Sequence, residues 1–154
     1  MNPPQTTQRT NTLITLFRDA GRAMTGELID RLAARGYPDV RPAHSRVFEN
    51  LDPAGTRVTE LAERAQMTHP SMSELITGLE RLGYLQRVAD PADGRARMVR
   101  LTAAGRVLQR VALAEIGEIE DDWRRRLGPE IGPALRTALL DAIGERRTAA
   151  MPPG

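Results

Sequence analysis

The 154-residue sequence has no cysteine, which excludes disulfides, thiolate metal sites and cysteine-based redox sensing and fits a cytoplasmic protein. The two histidines, His44 and His69, are distant in sequence and have no neighbouring cluster of ligands. We therefore expect no metal site and no cofactor. Lysine is also absent, and all 22 basic residues are arginines. A GC-rich genome explains this bias as well as selection for bidentate phosphate contacts does.

No run of about 18 apolar residues occurs, so we expect no membrane span. Aromatic residues make up only 3% of the chain, and the core must therefore come from aliphatic side chains and methionine. Met1–Thr12 is polar, lacks the apolar segment of a signal peptide and is expected to be a disordered leader. A glycine-rich phosphate loop and a plausibly spaced Ser-His-Asp set are missing as well, so the sequence predicts no enzyme.

The apolar pattern predicts one mainly α-helical domain spanning residues 1–154. Apolar residues recur every three or four positions over 11–36 and 102–147, which indicates long amphipathic helices. The second of these is expected to break at Gly128, and a shorter helix is predicted from Pro42 to Leu51. The apolar stripes of the two long segments must be buried, and we expect them to be dimerisation helices.

Within residues 42–101, two predicted helices at 58–65 and 68–82 are separated by a tight turn, with Thr59 and Thr68 as their N-caps. A short helix, a turn and a longer helix are typical of a helix-turn-helix, whose second helix enters the major groove of DNA by its N-terminal residues. The alternative is a solvated surface helix. The candidate DNA contacts are Thr68, His69, Pro70, Ser71 and Ser73, together with Arg57 before the first helix.

Glu74 is unusual on this predicted recognition helix. Its carboxylate could accept a hydrogen bond from a cytosine N4 amine, or bind a neighbouring arginine. The segment as a whole is not basic, because residues 51–101 contain seven arginines and seven acidic residues. DNA binding would therefore depend on where the arginines lie and not on bulk charge.

A β-hairpin is predicted at 84–101, directly after the recognition helix. Its apolar arms, Tyr84–Val88 and Met98–Leu101, flank a turn rich in Asp, Pro and Gly. Gly94 would supply a positive φ if the tip needs one.

Arg95 and Arg97 are expected to project from the tip and the returning strand of this hairpin, with Asp93 close enough to pair with Arg97. Arg95 could enter a narrow minor groove. The alternative is a solvated charged turn, which contributes little to stability. We interpret a second arginine run, Arg124–Arg126 after Trp123, as part of a solvated helix with internal charge pairs and not as a nucleic-acid patch.

Several motifs in this order resemble the MarR family of winged helix-turn-helix transcription regulators. The matching residues are Gly55-Thr-Arg-Val-Thr-Glu-Leu-Ala-Glu-Arg64, Leu79-Glu-Arg-Leu-Gly-Tyr-Leu-Gln-Arg87, Asp90-Pro-Ala-Asp-Gly-Arg95 and Leu101-Thr-Ala-Ala-Gly105. The resemblance implies a homodimer with intertwined terminal helices, whose hairpins act as wings that straddle double-stranded DNA. It also implies that Ser71 and Ser73 face the groove. Gly94 and Glu74 depart from the family pattern and reduce the local positive charge.

The resemblance further implies a cleft between the dimer helices and the winged part that senses small aromatic or phenolic acids. Tyr37, His44 and Phe48 are the candidate ligand-binding residues. The alternatives are that Phe48 belongs to the core and that His44 is solvated or caps a helix.

The sequence therefore predicts a homodimeric DNA-binding transcription regulator, a repressor released from a pseudo-palindromic operator by a small aromatic or phenolic ligand. Two alternatives are a winged-helix module that binds proteins and a regulator without an effector. Equal affinity for promoter and random DNA would favour the protein-binding module.

Overall fold

The computed structural model describes residues 12–149 of the chain, so all but the last residue of the predicted leader lies outside the described part. The described chain is mainly helical with one small sheet, as predicted. The elements are α1 (Leu13–Ala34), a 3-10 turn (Pro42–His44), α2 (Ser45–Phe48), β1 (Thr56–Arg57), α3 (Val58–Arg64), α4 (His69–Arg81), β2 (Leu85–Asp90), β3 (Asp93–Leu101) and α5 (Ala103–Ala149). None of the described helices is long and apolar enough to cross a membrane.

The chain forms two compact units, and the boundary between Glu115 and Ile116 falls inside α5. The expectation of one domain therefore stays a prediction. Within the second unit, Gly128 leaves the helical conformation with a φ of 85° and a ψ of 170°, which confirms the predicted break. The predicted helix at Pro42–Leu51 is shorter than expected, because the 3-10 turn and α2 together end at Phe48.

A three-stranded antiparallel sheet with the order β1-β3-β2 forms the base of the hairpin. Strand β1 was not predicted from the sequence; its two residues pair Thr56 with Val99 and Arg57 with Met98. A two-residue strand carries no alternation that a sequence pattern can reveal. Thr56 is buried, and its hydroxyl accepts a hydrogen bond of 2.9 Å from the backbone N–H of Asp52.

The core of the winged part lies between α3, α4 and the sheet. The apolar stripe of α4 supplies Met72, Ile76 and Leu79, all of which are fully buried. The cap of α3 differs from the prediction, since Arg57 and not Thr59 is its N-cap residue and makes no side-chain cap hydrogen bond. Because β1 leads straight into α3, the N-cap position falls on the last strand residue.

Gly83 ends α4 as predicted, in the left-handed conformation with a φ of 80°. The N–H of Tyr84 then donates to the carbonyl of Leu79 at 3.0 Å. Thr102 directly precedes α5, and its hydroxyl accepts a hydrogen bond from Gly105 N at 3.0 Å and donates to the Gly83 carbonyl at 2.6 Å. These bonds fix the hairpin base to the helices on both sides of it.

A second, smaller core in the first unit joins α1 to the start of α5 through Leu32, Val40 and Leu108. The buried carboxylate of Glu115 stands beside it and binds Arg35 at 2.8 Å and Arg31 at 3.5 Å. Arg31 of α1 and Arg35, the C-cap residue of that helix, thus compensate a carboxylate of α5.

The second unit contains the charge pairs predicted around Trp123. Arg124 binds Glu120 at 3.1 Å and also pairs with Asp121, and Arg125 pairs with Asp122. A β-carbon on Gly132 would overlap the Arg124 carbonyl oxygen, so the segments before and after the break lie in close contact.

Candidate nucleic-acid interface

The N-terminus of α4 presents exposed polar residues, whereas its apolar stripe faces the core. Thr68 is the N-cap as predicted, and its hydroxyl accepts a hydrogen bond of 3.3 Å from Ser71 N. The same hydroxyl donates to Ser71 Oγ at 2.9 Å. His69, Pro70 and Ser71 are exposed. A helix N-terminus with uncovered N–H groups suits a phosphate oxygen.

Two further residues of α4 differ in exposure. Ser73 is half-buried, and its carbonyl accepts a hydrogen bond of 2.9 Å from the Thr77 hydroxyl. Glu74 is exposed, and no ion pair or hydrogen bond joins its side chain to any residue in the described range 12–149. Among the described residues, the interpretation that Glu74 binds a neighbouring arginine is therefore wrong.

The turn between α3 and α4 is tight because Gln66 adopts the left-handed conformation, with a φ of 53°. The N–H of Met67 then donates to the Ala62 carbonyl at 2.8 Å, which closes the end of α3. This conformation is rare for a residue with a side chain, and it sets the angle at which α4 leaves α3.

The hairpin spans nearly the predicted residues, but its strands extend further towards the tip than the predicted arms. Asp90 pairs with Asp93 across a turn of only two residues, and Gly94 is a strand residue without positive φ. Asp90 Oδ1 accepts a hydrogen bond of 2.8 Å from Ala92 N, so Asp90 and not Gly94 stabilises the turn.

Arg95 and Arg97 are exposed near the tip, as the sequence predicts. Because side chains alternate along a strand, both lie on the same face of β3 as the buried Val99, which packs on the helices. The predicted pairing of Asp93 with Arg97 is wrong, since Asp93 instead accepts from Arg95 N at 3.1 Å. In the described part of the chain, neither guanidinium has a carboxylate partner.

Arg57 anchors the hairpin to the helix-turn-helix. Its Nε donates to Asp90 Oδ2 at 2.7 Å, and Nη2 approaches the same oxygen. The pKa of Asp90 is lowered, first by the hydrogen bond from Ala92 N and then by the bond from Arg57. Arg57 is one of the predicted DNA contacts, but its guanidinium is bound to Asp90 within the protein. The signal that was missed for this pair is Asp90 at the start of the turn, which is buried in the folded chain and binds Arg57.

A second link joins the base of the hairpin to α4. Arg87 Nη1 binds Glu80 at 3.0 Å, and Nη2 donates to the Thr77 hydroxyl at 3.5 Å. The arginines of the hairpin therefore form two groups. Arg87 is paired with the recognition helix, whereas those of β3 have no ion-pair partner among residues 12–149.

The three candidate ligand residues pack into the protein. Phe48 contacts both cores, and the ring of Tyr37 lies 6.2 Å from that of Tyr84. His44 is buried, and its Nδ1 accepts a hydrogen bond of 3.1 Å from Arg41 N. Burial, reinforced by the charge of Arg41, lowers the pKa of His44. A neutral His44 does not suit an ion pair with the carboxylate of a small acid.

Two cavities open on the first unit. One, of about 440 Å³, lies between α1 and the segment Pro42–Arg46 and exposes Arg22 and Arg46. The other, of about 350 Å³, lies beside the hairpin base and includes Arg100 and Arg106. Across residues 12–149, no group of three or more His, Asp or Glu side chains is arranged to hold a metal ion.

The sequence profile of the MarR family matches residues 39–96. The transcriptional regulator HosA of Escherichia coli O111:H- is 30% identical over 94 residues, which cover 60% of this chain and 70% of HosA. The exopolysaccharide II synthesis transcriptional activator ExpG of Rhizobium meliloti (strain 1021) is 29% identical over 96 residues, covering 62% of this chain and 50% of ExpG.

Among solved structures, the complex of Staphylococcus aureus MepR with DNA has a similar fold. The TM-score is 0.67 at 22% identity, and the alignment covers 87% of this chain and 98% of MepR. The relatives are transcription regulators and not enzymes, in agreement with the sequence prediction.

Proposed function

The chain belongs to the MarR family of winged-helix transcription regulators, and we propose that it binds a pseudo-palindromic operator in double-stranded DNA as a homodimer. The exposed N-terminus of α4 would enter the major groove, and Arg95 and Arg97 would contact the adjacent backbone and minor groove. Arg57 would act as a positioning residue for the hairpin.

The observation that carries this proposal is the exposure of these groups, together with the lack of carboxylate partners for the two arginines in the described chain. The exposed residues Thr68–Ser71 stand at the start of α4, and Arg95 and Arg97 occupy the helix-packing face of β3. The arginines have no carboxylate partner in the described chain, so their donors are available to phosphate oxygens. The exposed start of α4 and the two arginines without carboxylate partners therefore favour binding to one extended anionic molecule.

Dimerisation is supported by apolar residues at the start of α1. Their exposed fractions are Leu13 70%, Ile14 79%, Leu16 48% and Phe17 53%. A contiguous apolar face of this kind indicates a protein contact. A second copy of the chain is the simplest partner, because a pseudo-palindromic operator matches a two-fold symmetric protein.

Sedimentation velocity tests the dimer. The wild-type chain should sediment as a dimer, and Phe17→Asp should shift it towards the monomer and weaken DNA binding. Arg18→Ala, on the same helix but outside the apolar face, should leave the dimer intact. A monomeric wild type that still binds a two-half-site operator tightly would contradict the homodimer.

We propose further that the protein is a repressor released by a small aromatic or phenolic ligand near Tyr37, His44 and Phe48. The cavity between α1 and Pro42–Arg46 supports this site, because it adjoins the segment that contains His44. Arg22 and Arg46 could bind a carboxylate there, whereas the neutral His44 suits a hydroxyl.

Calorimetric titration with benzoate and with phenol separates these two groups. Benzoate binding that Arg46→Gln abolishes would support the arginine site, and phenol binding that His44→Gln abolishes would support the histidine. A footprint and a promoter–reporter assay, with and without the bound compound, then test repression and release. Operator binding with no response to either probe would favour a regulator without an aromatic effector.

A further inference from the structure

We propose that Glu74 determines specificity in the DNA interface by selecting cytosine in the major groove, an inference that rests on the proposed function. Glu74 lies on α4, three residues after Ser71, and both side chains are exposed. Residues three apart are neighbours on a helix surface. Ser71 and Glu74 therefore form one exposed polar strip that begins at the end of the helix expected to enter the groove.

The carboxylate of Glu74 is free to bind a partner outside the chain. In the described part of the protein it has no ion pair and no hydrogen bond. Glu80, the other acidic residue of α4, is half-buried and bound to Arg87 at 3.0 Å. The contrast distinguishes a carboxylate that is held within the protein from an available one on the same helix. Substitution of Glu74 therefore breaks no hydrogen bond or ion pair among the described residues.

The chemistry of base edges then selects the partner. An ionised carboxylate only accepts hydrogen bonds. In the major groove, guanine presents two acceptors, and thymine presents one acceptor and a methyl group. Adenine presents its amine beside the N7 acceptor, which repels the carboxylate, whereas cytosine presents the N4 amine without an adjacent acceptor of its own. Cytosine is therefore the base that suits Glu74.

Ser71 complements Glu74 as a donor. Its oxygen already accepts from the Thr68 hydroxyl at 2.9 Å, which leaves the Ser71 O–H to donate outward. The surrounding segment is neutral, with seven arginines and seven acidic residues between positions 51 and 101, so no excess of positive charge offsets Glu74. At a DNA site without cytosine, the Glu74 carboxylate would lose its water and lie beside hydrogen-bond acceptors of the bases. This loss weakens binding to such a site.

Selection from a pool of randomised duplexes tests this role with the full-length chain. The wild type should favour cytosine by about tenfold at one position of each half-site. Glu74→Gln should shift that preference to adenine, because glutamine bonds to adenine N6 and N7 together. Glu74→Ala should remove the preference at that position and leave the rest of the site unchanged.

Glu63→Gln is the matched control, because Glu63 on α3 is also exposed and its side chain has no partner in the described chain. This variant should keep the preference for cytosine. That result would separate the effect of base recognition from the effect of a change in net charge. The proposal is overturned when both Glu74 variants select the wild-type site, or when Glu63→Gln changes the same position. A wild type that selects no sequence would overturn the proposed function together with this inference.

Discussion

Arg57 and Asp90 are joined by a hydrogen bond of 2.7 Å from Nε to Oδ2, although 33 positions separate them in the chain. Arg57 is the N-cap residue of α3, and Asp90 ends β2 at the hairpin turn. The bond therefore connects the start of the helix-turn-helix to the tip of the wing. Because Asp90 is buried, its carboxylate depends on this partner.

We expect Asp90→Asn to weaken DNA binding by about tenfold while the fold is retained, because the tip loses its anchor but no apolar contact. Fluorescence anisotropy with a labelled operator and circular dichroism give the two readouts. The double variant Arg57→Gln/Asp90→Asn should bind the operator no more weakly than Asp90→Asn alone. Strictly additive losses would show that the two residues act separately.

The wing arginines should contribute through phosphate contacts. Arg95→Ala and Arg97→Ala should each lower the affinity and flatten the slope of log K against log salt by about 0.9 if one phosphate contact is lost. Arg126→Ala, an exposed arginine in the second unit, is the control and should leave the slope unchanged. An unchanged slope in both wing variants would show that the wing takes no part in DNA binding.

The sequence predicted the helices that have a periodic apolar stripe or a clear end signal. The stripe of α4, its cap Thr68 and its ending glycine Gly83 were all correct. Strand β1 was missed because two residues carry no pattern, and the N-cap of α3 was misassigned for the same reason. Local signals therefore located the recognition helix, but pairing partners distant in the chain did not follow from them.

The prediction of the candidate site was also limited by contacts between residues that are distant in the chain. Exposed residues such as Arg95 were predicted from turn composition alone, whereas the engagement of Arg57 by Asp90 needs the hairpin register. The environment of His44 also depends on the folded chain, because burial and Arg41 together set its protonation.

Gly105 should tolerate no side chain. A β-carbon there would overlap the Tyr84 carbonyl oxygen at the hairpin base, so Gly105→Ala should lower the free energy of unfolding by about 1–3 kcal/mol. Gly21→Ala is the matched control, because Gly21 is inside α1 and the added carbon would meet no atom within 4 Å beyond its chain neighbours and the backbone of its own helix. It should raise stability by about 0.5–1 kcal/mol. Urea unfolding would compare them, and equal effects would contradict the close contact.

His44 should make stability depend on pH. Its pKa is lowered from 6.5 by burial and by Arg41, so the unfolded chain binds more protons between the folded and unfolded values. The stabilising contribution is complete above about pH 6.5 and decreases as the pH falls through the folded pKa. Urea unfolding from pH 7.5 to 5 should show this loss, and His44→Gln should reduce it.

His69 supplies the control, because it is exposed and the chain has no other histidine besides His44. His69→Gln should retain the wild-type pH dependence of stability. A dependence that disappears in His69→Gln but persists in His44→Gln would contradict the assignment.

Specific DNA binding is the central claim, and an equilibrium titration at about 0.15 M salt tests it most directly. The full-length chain would be titrated with its selected operator and with a duplex of the same length and composition in scrambled order. We predict at least about a 10³-fold tighter complex with the operator. Equal affinity for the two duplexes would contradict sequence-specific binding and favour a winged-helix module that binds another protein.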